Sequence, residues 1–457
     1  MSLITSISGI RGTIGGSVSD SLNPVNIVNF TLAYCQLLKQ KLNKTKLRIV
    51  IGKDARISGA MVEQIVCGTL MACGADVVNI GFATTPTTEI AVIKEKADGG
   101  VILTASHNPK NWNALKLLDD KGEFVDAQSG KFILEFASMP QKFNFSDVEN
   151  IGKMYYLHNF EDVHIAQILK IPIVDKKSIE KSNFKVVVDC INSVGAISIP
   201  KLLKQLGVED IILLNETPNG EFVHNPEPLA ENLHQIMNAV VQNNAHLGIV
   251  VDPDVDRLAF IDEKGQMFGE EYTLVAVADY VLEHYKGATV SNLSSSRALR
   301  DIANKHKVKY FASAIGELNV VEMMKKNNAV IGGEGNGGVI YPQIHYGRDA
   351  LVGIALFLSH LAQKNITVSQ LRSTYPNYEM VKLKKEVEQS QIENILSRIV
   401  NQFSHLQPNT VDGVKIDFED GWVHIRKSNT EPIIRIYAEA PTQNRAKQLA
   451  NMVIEKI

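Results

Sequence analysis

A chain of 457 residues is long enough for roughly three domains of about 150 residues and can bury a large core without covalent staples. Hydrophobic residues make up 45 % and charged residues 21 %, which excludes wholesale disorder, collagen and coiled coil. With 47 Lys plus Arg against 50 Asp plus Glu, the net charge of -3 supplies no global basic field to draw the protein onto nucleic acid or anionic lipid.

The first residues, MSLITSISGIRGTIGG, have no basic leader, meet Arg11 after a short apolar stretch and lack a small-residue cleavage pattern, so they are expected to be mature sequence. Apolar β-rich runs then alternate with helical patterns: a strand over 47–52, a helix over 59–73, a strand over 76–80, a helix over 87–94 and a strand over 99–103. That grammar predicts βαβ units in a mainly parallel sheet. A polar stretch over 143–153 breaks it. A second α/β unit follows, with strands over 185–189, 211–214 and 246–251 and helices over 198–206 and 231–242. The third has helices over 272–285, 297–305 and 319–326, strands over 288–292, 308–312 and 329–332, and a long amphipathic helix over 349–363. From about residue 371 the pattern becomes strand, helix, hairpin-linked strands over 411–440 and a closing helix over 442–457, which reads as α+β. The composition's three domains thus become four, over 1–150, 151–258, 259–369 and 370–457. The longest apolar run, near 352–362, falls well short of the roughly 18 residues a membrane helix needs, so no span is expected. Cys35, Cys67, Cys73 and Cys190 form no C-x-x-C pair and are read as reduced thiols of a cytoplasmic protein.

One strand of each α/β unit runs into a polar loop: GGVILTASHNP, LGIVVDPDVDR and AVIGGEGNGG. Ligands of open α/β sheets bind outside the carboxyl ends of strands, so three such ends are expected to share one site. In the second loop Asp252, Asp254 and Asp256 alternate after an apolar strand, and carboxylates that close repel one another unless a cation or basic partners join them. Glu263 falls at the twelfth position of an EF-hand count, but Arg257 stands where the turn needs Gly and a strand leads in, so the EF-hand is rejected. Open coordination positions and a substrate phosphate suit Mg²⁺. In the first loop, Thr104-Ala-Ser-His-Asn-Pro109 sets Ser106 beside His107, with Lys116 ten residues beyond Ser106 and no G-x-S-x-G elbow to support hydrolase chemistry. The third loop, Gly333-Glu-Gly-Asn-Gly-Gly338, matches G-x-G-x-x-G but runs on into extended Val339–Pro342 without the later acid, so it is not a dinucleotide fingerprint, and it lacks the Gly-Lys-Ser/Thr of a Walker loop. It is a glycine frame around Glu334 and Asn336, suited to sugar hydroxyls or an amine. A fourth loop, Arg426-Lys-Ser-Asn-Thr-Glu-Pro432, with Arg435 just after it, combines fixed cations with small donors, the chemistry of a phosphate cradle. No base-stacking aromatics interleave there, so single-stranded nucleic acid is not the expected partner.

In this order the four loops resemble the α-D-phosphohexomutase family of phosphoglucomutases, phosphomannomutases and phosphoglucosamine mutases, across essentially the whole chain. TASHNP resembles the family's phosphoserine loop, DPDVDR its metal loop, GEGNGG its sugar-recognition loop, RKSNTEP its phosphate loop, and SGIRG, with Arg11, its N-terminal signature. The resemblance implies an α/β fold of three consecutive mixed-sheet α/β/α domains around a central cleft plus a smaller C-terminal α+β lid. It implies an intramolecular phosphotransferase that interconverts 6-phospho and 1-phospho sugars through a hexose bisphosphate, which serves as intermediate and activator. Ser106 would carry the phosphoryl group and, with Asp252, Asp254 and Asp256, hold Mg²⁺. His107, Lys116 and Arg257 would serve catalysis, Arg11, Glu334 and Asn336 would bind substrate, and Arg426, Ser428, Asn429 and Thr430 would anchor the non-reacting phosphate. Several bacterial phosphomannomutase/phosphoglucomutase members carry Ser and His in the sugar loop where this chain has Asn336 and Gly338; Gly338 has no side chain for acid–base work, and His345 is the candidate substitute. GEGNGG, followed by Tyr341-Pro342 and Gly347-Arg348-Asp349, resembles the phosphoglucosamine mutase branch, so glucosamine phosphate is the first expectation. Other hexose phosphates, a Mg²⁺-dependent sugar phosphatase and a sugar-phosphate sensor are the alternatives. The expected partner is a small hexose phosphate, with no nucleic acid or membrane, on a monomer or homodimer.

Overall fold

Ile49 and Ile51, Val77, and Val101 and Leu103 pack into one hydrophobic cluster, while the intervening Val50, Val78 and Ile102 pack into another. A sheet covered on both faces needs apolar side chains at every position, which is why these strands read as unbroken hydrophobic runs. One cover comes from helices Pro24–Leu42 and Gly59–Ala72, through Ile27, Leu38, Val62, Val66 and Leu70. The other comes from helix Thr85–Lys94, through Ala91 and Val92. Helix Pro24–Leu42 starts on Asn23, whose side chain accepts from Asn26 N; helix Thr85–Lys94 starts on Thr84, which accepts from Thr87 N, with Pro86 in the first turn.

The computed structural model describes residues 2–6, 9–427 and 433–456. It has two units, Met1–Thr273 with Gly337–Ser369, and Leu274–Asn336 with Gln370–Ile457. The first unit holds a seven-stranded sheet in the order Leu3–Ser6, Gly9–Thr13, Trp112–Leu118, Gly99–Leu103, Leu47–Lys53, Ala75–Phe82, Met154–Tyr156. The first three pairings are antiparallel and the last three parallel, so the mainly parallel sheet expected from the βαβ pattern is corrected to a half-and-half mixed one. The pattern missed Gly9–Thr13 and Trp112–Leu118, the first rich in Gly and the second carrying Asn113 and Lys116. The polar break at 143–153 ends in the short edge strand Met154–Tyr156. Four more strands of this unit lie in the order Leu258–Ile261, Leu247–Val251, Lys185–Asp189, Asp210–Leu214. The helix expected over 231–242 begins only at His234, after a 3₁₀ turn at Ala230–Asn232. The unit is completed by strand Gly338–Ile340 and helix Ala350–Lys364, capped by Asp349.

In the second unit, Thr289–Asn292 pairs in parallel with Tyr310–Ser313 and Ile331–Glu334. Its C-terminal part is an antiparallel sheet in the order Glu379–Glu386, Ile433–Ala440, Trp422–Lys427, Val414–Asp417. Val423, Ile425, Ile434, Ile436 and Ala438 face helices Ile392–Gln402 and Gln443–Ile454, whose Ile395, Ile399, Leu449 and Val453 complete that core. The other face is buried but polar. Its Glu439 accepts from Arg297 N at 2.9 Å and Trp422 Nε1 at 2.7 Å, and His424 Nδ1 is hydrogen-bonded to Ser294 Oγ at 2.8 Å. Lys415 from the adjoining strand donates to Leu293 O at 2.7 Å. The free cysteines Cys35, Cys67, Cys73 and Cys190 are buried, and among the described residues no helix is long and apolar enough to cross a membrane.

Candidate active site

Ser106 follows strand Gly99–Leu103 with φ +49°, a left-handed conformation that a non-glycine residue holds only when its surroundings over-determine it. Arg56 does much of this. It lies just past strand Leu47–Lys53, and its guanidinium donates to the carbonyls of Ser106, Asn108, Pro109 and Trp112. The Arg56 Nε donates to Asp54 Oδ2 at 3.1 Å, and Thr104 Oγ1 donates to the same oxygen at 2.6 Å. Burial pushes the Asp54 carboxyl up to about 6, against the pull of Arg56. Held this way, Ser106 Oγ donates to Asp252 Oδ2 at 2.6 Å and lies 3.4 Å from His107 Nδ1.

Asp252, Asp254 and Asp256 follow strand Leu247–Val251 and are fully buried, each with a ligand atom within 4.8 Å of the others. The turn puts Val255 at φ +61°, strained for a β-branched residue, and Asp252 Oδ1 accepts from the backbone N–H of both Asp256 and Arg257 at 3.1 Å. Lys116 Nζ reaches Asp254 Oδ2 at 2.6 Å and Asp256 Oδ2 at 3.2 Å, and Thr85 Oγ1 donates to Asp254 Oδ2 at 2.6 Å. Burial, then the charges of Asp254 and Asp256, hold the Asp252 carboxyl well above its usual range. Burial also opposes charge on Asp254, but Lys116 overrides it and holds that carboxyl below the usual range. Among the described residues, Asp254 Oδ1 and Asp256 Oδ1 are buried without hydrogen-bond partners. An all-oxygen donor set with orphaned acceptors fits a hard divalent cation such as Mg²⁺. Glu263, by contrast, accepts from Thr367 and Ser369 and takes no part in this cluster, in keeping with the rejected EF-hand.

Cations surround the carboxylates. Arg257 pairs with Glu227 at 3.2 Å, and its Nε is buried without a partner among the described residues. Arg11, on strand Gly9–Thr13, donates to Asn108 Oδ1 at 3.4 Å. Burial first, then Arg257 and Arg11, holds the His107 imidazole well below its usual range, so it is neutral near pH 7.

Ser106, His107, Lys116, Arg257, Arg11 and the three aspartates therefore fall together in the first unit. Glu334 and Arg426 fall in the second. Glu334 ends strand Ile331–Glu334 and its Oε1 accepts from Asn292 Nδ2 at 2.9 Å and Gly316 N at 3.2 Å. Arg426 is half-buried opposite Arg435, its Nε without a partner among the described residues. Burial lowers its pKa, and Glu334 is one of the acidic groups that oppose the shift. Asn336 is half-buried in the turn after Glu334. Ser428, Asn429 and Thr430 lie outside the described residues. His345, the candidate substitute for a sugar-loop histidine, is buried between two carboxylates, its Nε2 bonded to Asp349 Oδ2 at 3.2 Å and its Nδ1 3.0 Å from Glu89 Oε2. The loop reading missed Arg56, Thr85 and Arg348, whose Nη2 donates to Asp256 Oδ2 at 2.7 Å. For Arg56 a signal existed, since Asp54-Ala-Arg56 directly follows a strand of a largely covered sheet.

The overall architecture is that of a solved phosphoglucomutase/phosphomannomutase family protein from Burkholderia thailandensis, at a TM-score of 0.83 and 22 % identity over 99 % of this chain and 96 % of that one. It is a four-part α/β fold of mixed sheets with a small antiparallel C-terminal domain. Models of the phosphoglucomutase/phosphomannomutase α/β/α domains I, II and III match residues 3–138, 162–265 and 269–378, and the model of the family's C-terminal domain matches 380–456. A phosphoglucomutase/phosphomannomutase of Thermococcus kodakarensis is 35 % identical over 97 % of each chain. A phosphoglucosamine/phosphogalactosamine mutase of Sulfurisphaera tokodaii is 33 % identical over 88 % of this chain and 90 % of its own. The chain belongs to the phosphoglucomutase/phosphomannomutase family, the α-D-phosphohexomutases, and is an enzyme of that mutase class.

Proposed function

We propose that the enzyme interconverts glucosamine 6-phosphate and glucosamine 1-phosphate through a phosphorylated Ser106 and a bisphosphorylated sugar. The observation that carries this reading is the 2.6 Å hydrogen bond from Ser106 Oγ to Asp252, within three buried aspartates that keep unpartnered oxygens. Residues 1–150 would supply the phosphoserine loop, 151–258 the metal loop, 259–369 the sugar loop and 370–457 the phosphate loop. Asp252, Asp254, Asp256 and the phosphorylated Ser106 would hold Mg²⁺, which when bound supplies neutralising positive charge to the phosphoryl oxygens.

In the first half-reaction the bond between Ser106 Oγ and phosphorus breaks as a sugar hydroxyl oxygen bonds to phosphorus, and the hydroxyl proton passes to a base. Neutral His107 has an open lone pair for such a proton, and its low pKa suits transient rather than lasting protonation. The sugar then turns over, the bond between its other phosphate's phosphorus and the sugar oxygen breaks as Ser106 Oγ bonds to that phosphorus, and the base gives its proton to the sugar oxygen left behind. Lys116 keeps Asp254 ionised throughout. Arg257 can exchange its Glu227 partner for a phosphate oxygen, and Arg11 adds a further fixed cation. Glu334 would accept hydrogen bonds from the sugar, and Arg426 with Ser428, Asn429 and Thr430 would hold the phosphate that is not reacting.

The GEGNGG loop and the aminosugar mutase of Sulfurisphaera tokodaii support glucosamine; the 35 % identity to the phosphoglucomutase/phosphomannomutase of Thermococcus kodakarensis favours a second reading, mannose or glucose phosphate. A panel assay separates them. Glucosamine 6-phosphate, mannose 1-phosphate and glucose 1-phosphate are each supplied with Mg²⁺ and a catalytic amount of hexose bisphosphate. The highest kcat/KM is expected for glucosamine 6-phosphate, and a large preference for either other sugar contradicts the proposal. Release of free phosphate without isomerisation would instead identify a phosphatase.

A further inference from the structure

We infer that Arg348 is a further positioning residue for phosphoryl transfer, held on Asp256 by a buried network of Glu89, His345, Asp349 and His164. The inference rests on the reading of Asp252, Asp254 and Asp256 as a metal loop.

Asp256 Oδ2 accepts from Arg348 Nη2 at 2.7 Å and from Lys116 Nζ at 3.2 Å. Both cations fall on one oxygen, which leaves Oδ1 as the buried oxygen without a partner among the described residues. A carboxylate that must present one oxygen to a cation gains from having the other fixed, because rotation about its terminal bond is then removed. A guanidinium suits this task, being planar and permanently charged.

The backbone around Arg348 is tied to the same loop. Arg348 bridges Ile340, Asp349 N donates to Val339 O at 2.8 Å, and Ala350 N donates to the carbonyl of Val255, between two of the aspartates, at 3.3 Å. The side chains on either side lock this position. His345 Nδ1 lies 3.0 Å from Glu89 Oε2 and its Nε2 3.2 Å from Asp349 Oδ2. His164 Nε2 reaches the same Asp349 oxygen at 2.8 Å, and its Nδ1 is hydrogen-bonded to Thr87 Oγ1 at 3.0 Å. Asp349 Oδ1 accepts from Leu351 N and Val352 N at the start of helix Ala350–Lys364. Two imidazoles and a carboxylate this close could chelate a metal. Both His164 nitrogens, His345 Nε2 and both Asp349 oxygens already have hydrogen-bond partners, however, and His345 Nδ1 faces the Glu89 carboxylate at ion-pair distance, so the group acts as a clamp. Gly347 lets the loop lie against it, since a Cβ there would come within 1.9 Å of Glu89 Oε2. Helix Thr85–Lys94 thus reaches the metal loop directly, Thr85 to Asp254, and its Glu89 meets His345, which bonds Asp349, the residue next to Arg348 in the chain.

The test compares wild type, Arg348→Met, Arg348→Lys, His345→Gln and Asp254→Asn. Mn²⁺ affinity is measured by titration of the purified proteins, alongside kcat, KM and Tm with a hexose phosphate that the wild type turns over. Removing the outer partner of a ligating carboxylate typically costs about 10–100-fold, so Arg348→Met is expected to lose about that much in both Mn²⁺ affinity and kcat, with KM within about threefold. Arg348→Lys should recover part of the loss, and His345→Gln should lose about tenfold in Mn²⁺ affinity. Mn²⁺ affinity and kcat of Arg348→Met within about twofold of wild type overturn the inference alone. Should Arg348→Met not fold, Arg348→Lys decides: weaker Mn²⁺ binding at an unchanged Tm supports the inference, and unchanged binding overturns it. Wild-type protein that binds no Mn²⁺, or Asp254→Asn that binds it equally well, overturns the metal-loop reading and this inference with it.

Discussion

At the scale of single residues, the groups legible in the sequence are those that announce themselves locally: alternating aspartates after an apolar strand, and a Ser-His pair at a strand end. Arg56 and Arg348 act on partners 50 and 92 positions away, a spacing that no local pattern encodes. Arg56 carries four carbonyls of the Ser106 loop and neutralises buried Asp54. Arg56→Met should therefore lower stability by about 3–5 kcal/mol in denaturant unfolding, since it strands a buried carboxylate. Loss of mutase activity should exceed what the unfolded fraction explains. His345 makes a pH prediction. Burial opposes its charge, but Asp349 and Glu89 win and raise its pKa to about 10. A histidine raised above its unfolded value of about 6.5 contributes stability that is full below that pH and lost as pH rises toward 10. Tm should therefore fall between about pH 7 and 10, and His345→Gln should flatten that slope while lowering Tm at pH 6.

At the scale of elements, the strands flanked by helices on both sides were legible because burial on two faces forces continuous Val, Ile and Leu. Gly9–Thr13 and Trp112–Leu118 were not, because their place is set by antiparallel pairing to a neighbour rather than by their own pattern. Gly337 marks a similar limit. Its φ of +84° and the 2.2 Å approach that a Cβ would make to Leu258 O explain one glycine of the GEGNGG loop, whose spacing in the sequence formally matched a nucleotide motif that the following residues ruled out. The C-terminal sheet presents a buried polar face, and Glu439 is its hub. Glu439→Leu would orphan Arg297 N–H and Trp422 Nε1–H, so a loss of about 3 kcal/mol is expected in thermal or denaturant unfolding. A change below about 0.5 kcal/mol would show that the two donors find other partners.

At the scale of the whole molecule, the four-part α/β order was legible from the succession of elements, and the family models match the chain along that order. The division into two units was not, because it follows contacts that cut across chain order and falls inside the GEGNGG loop, between Asn336 and Gly337. The proposed chemistry is divided the same way, with the phosphoryl-carrying group in one unit and Glu334 and Arg426 in the other. Arg426→Met should therefore raise KM for hexose phosphate by about 10–100-fold, as expected for a lost charged contact to phosphate, and raise to a similar degree the hexose bisphosphate concentration needed to phosphorylate Ser106, while Ser106 is still phosphorylated at saturation. The most direct test of the mechanism is the intact mass of the protein after incubation with hexose 1,6-bisphosphate, with the modified residue mapped by peptide sequencing. Wild type should gain one phosphate-sized increment at Ser106 and interconvert hexose phosphates, and Ser106→Ala should do neither. A wild-type enzyme that turns over without phosphate on Ser106, or Ser106→Ala with full mutase activity, would contradict it.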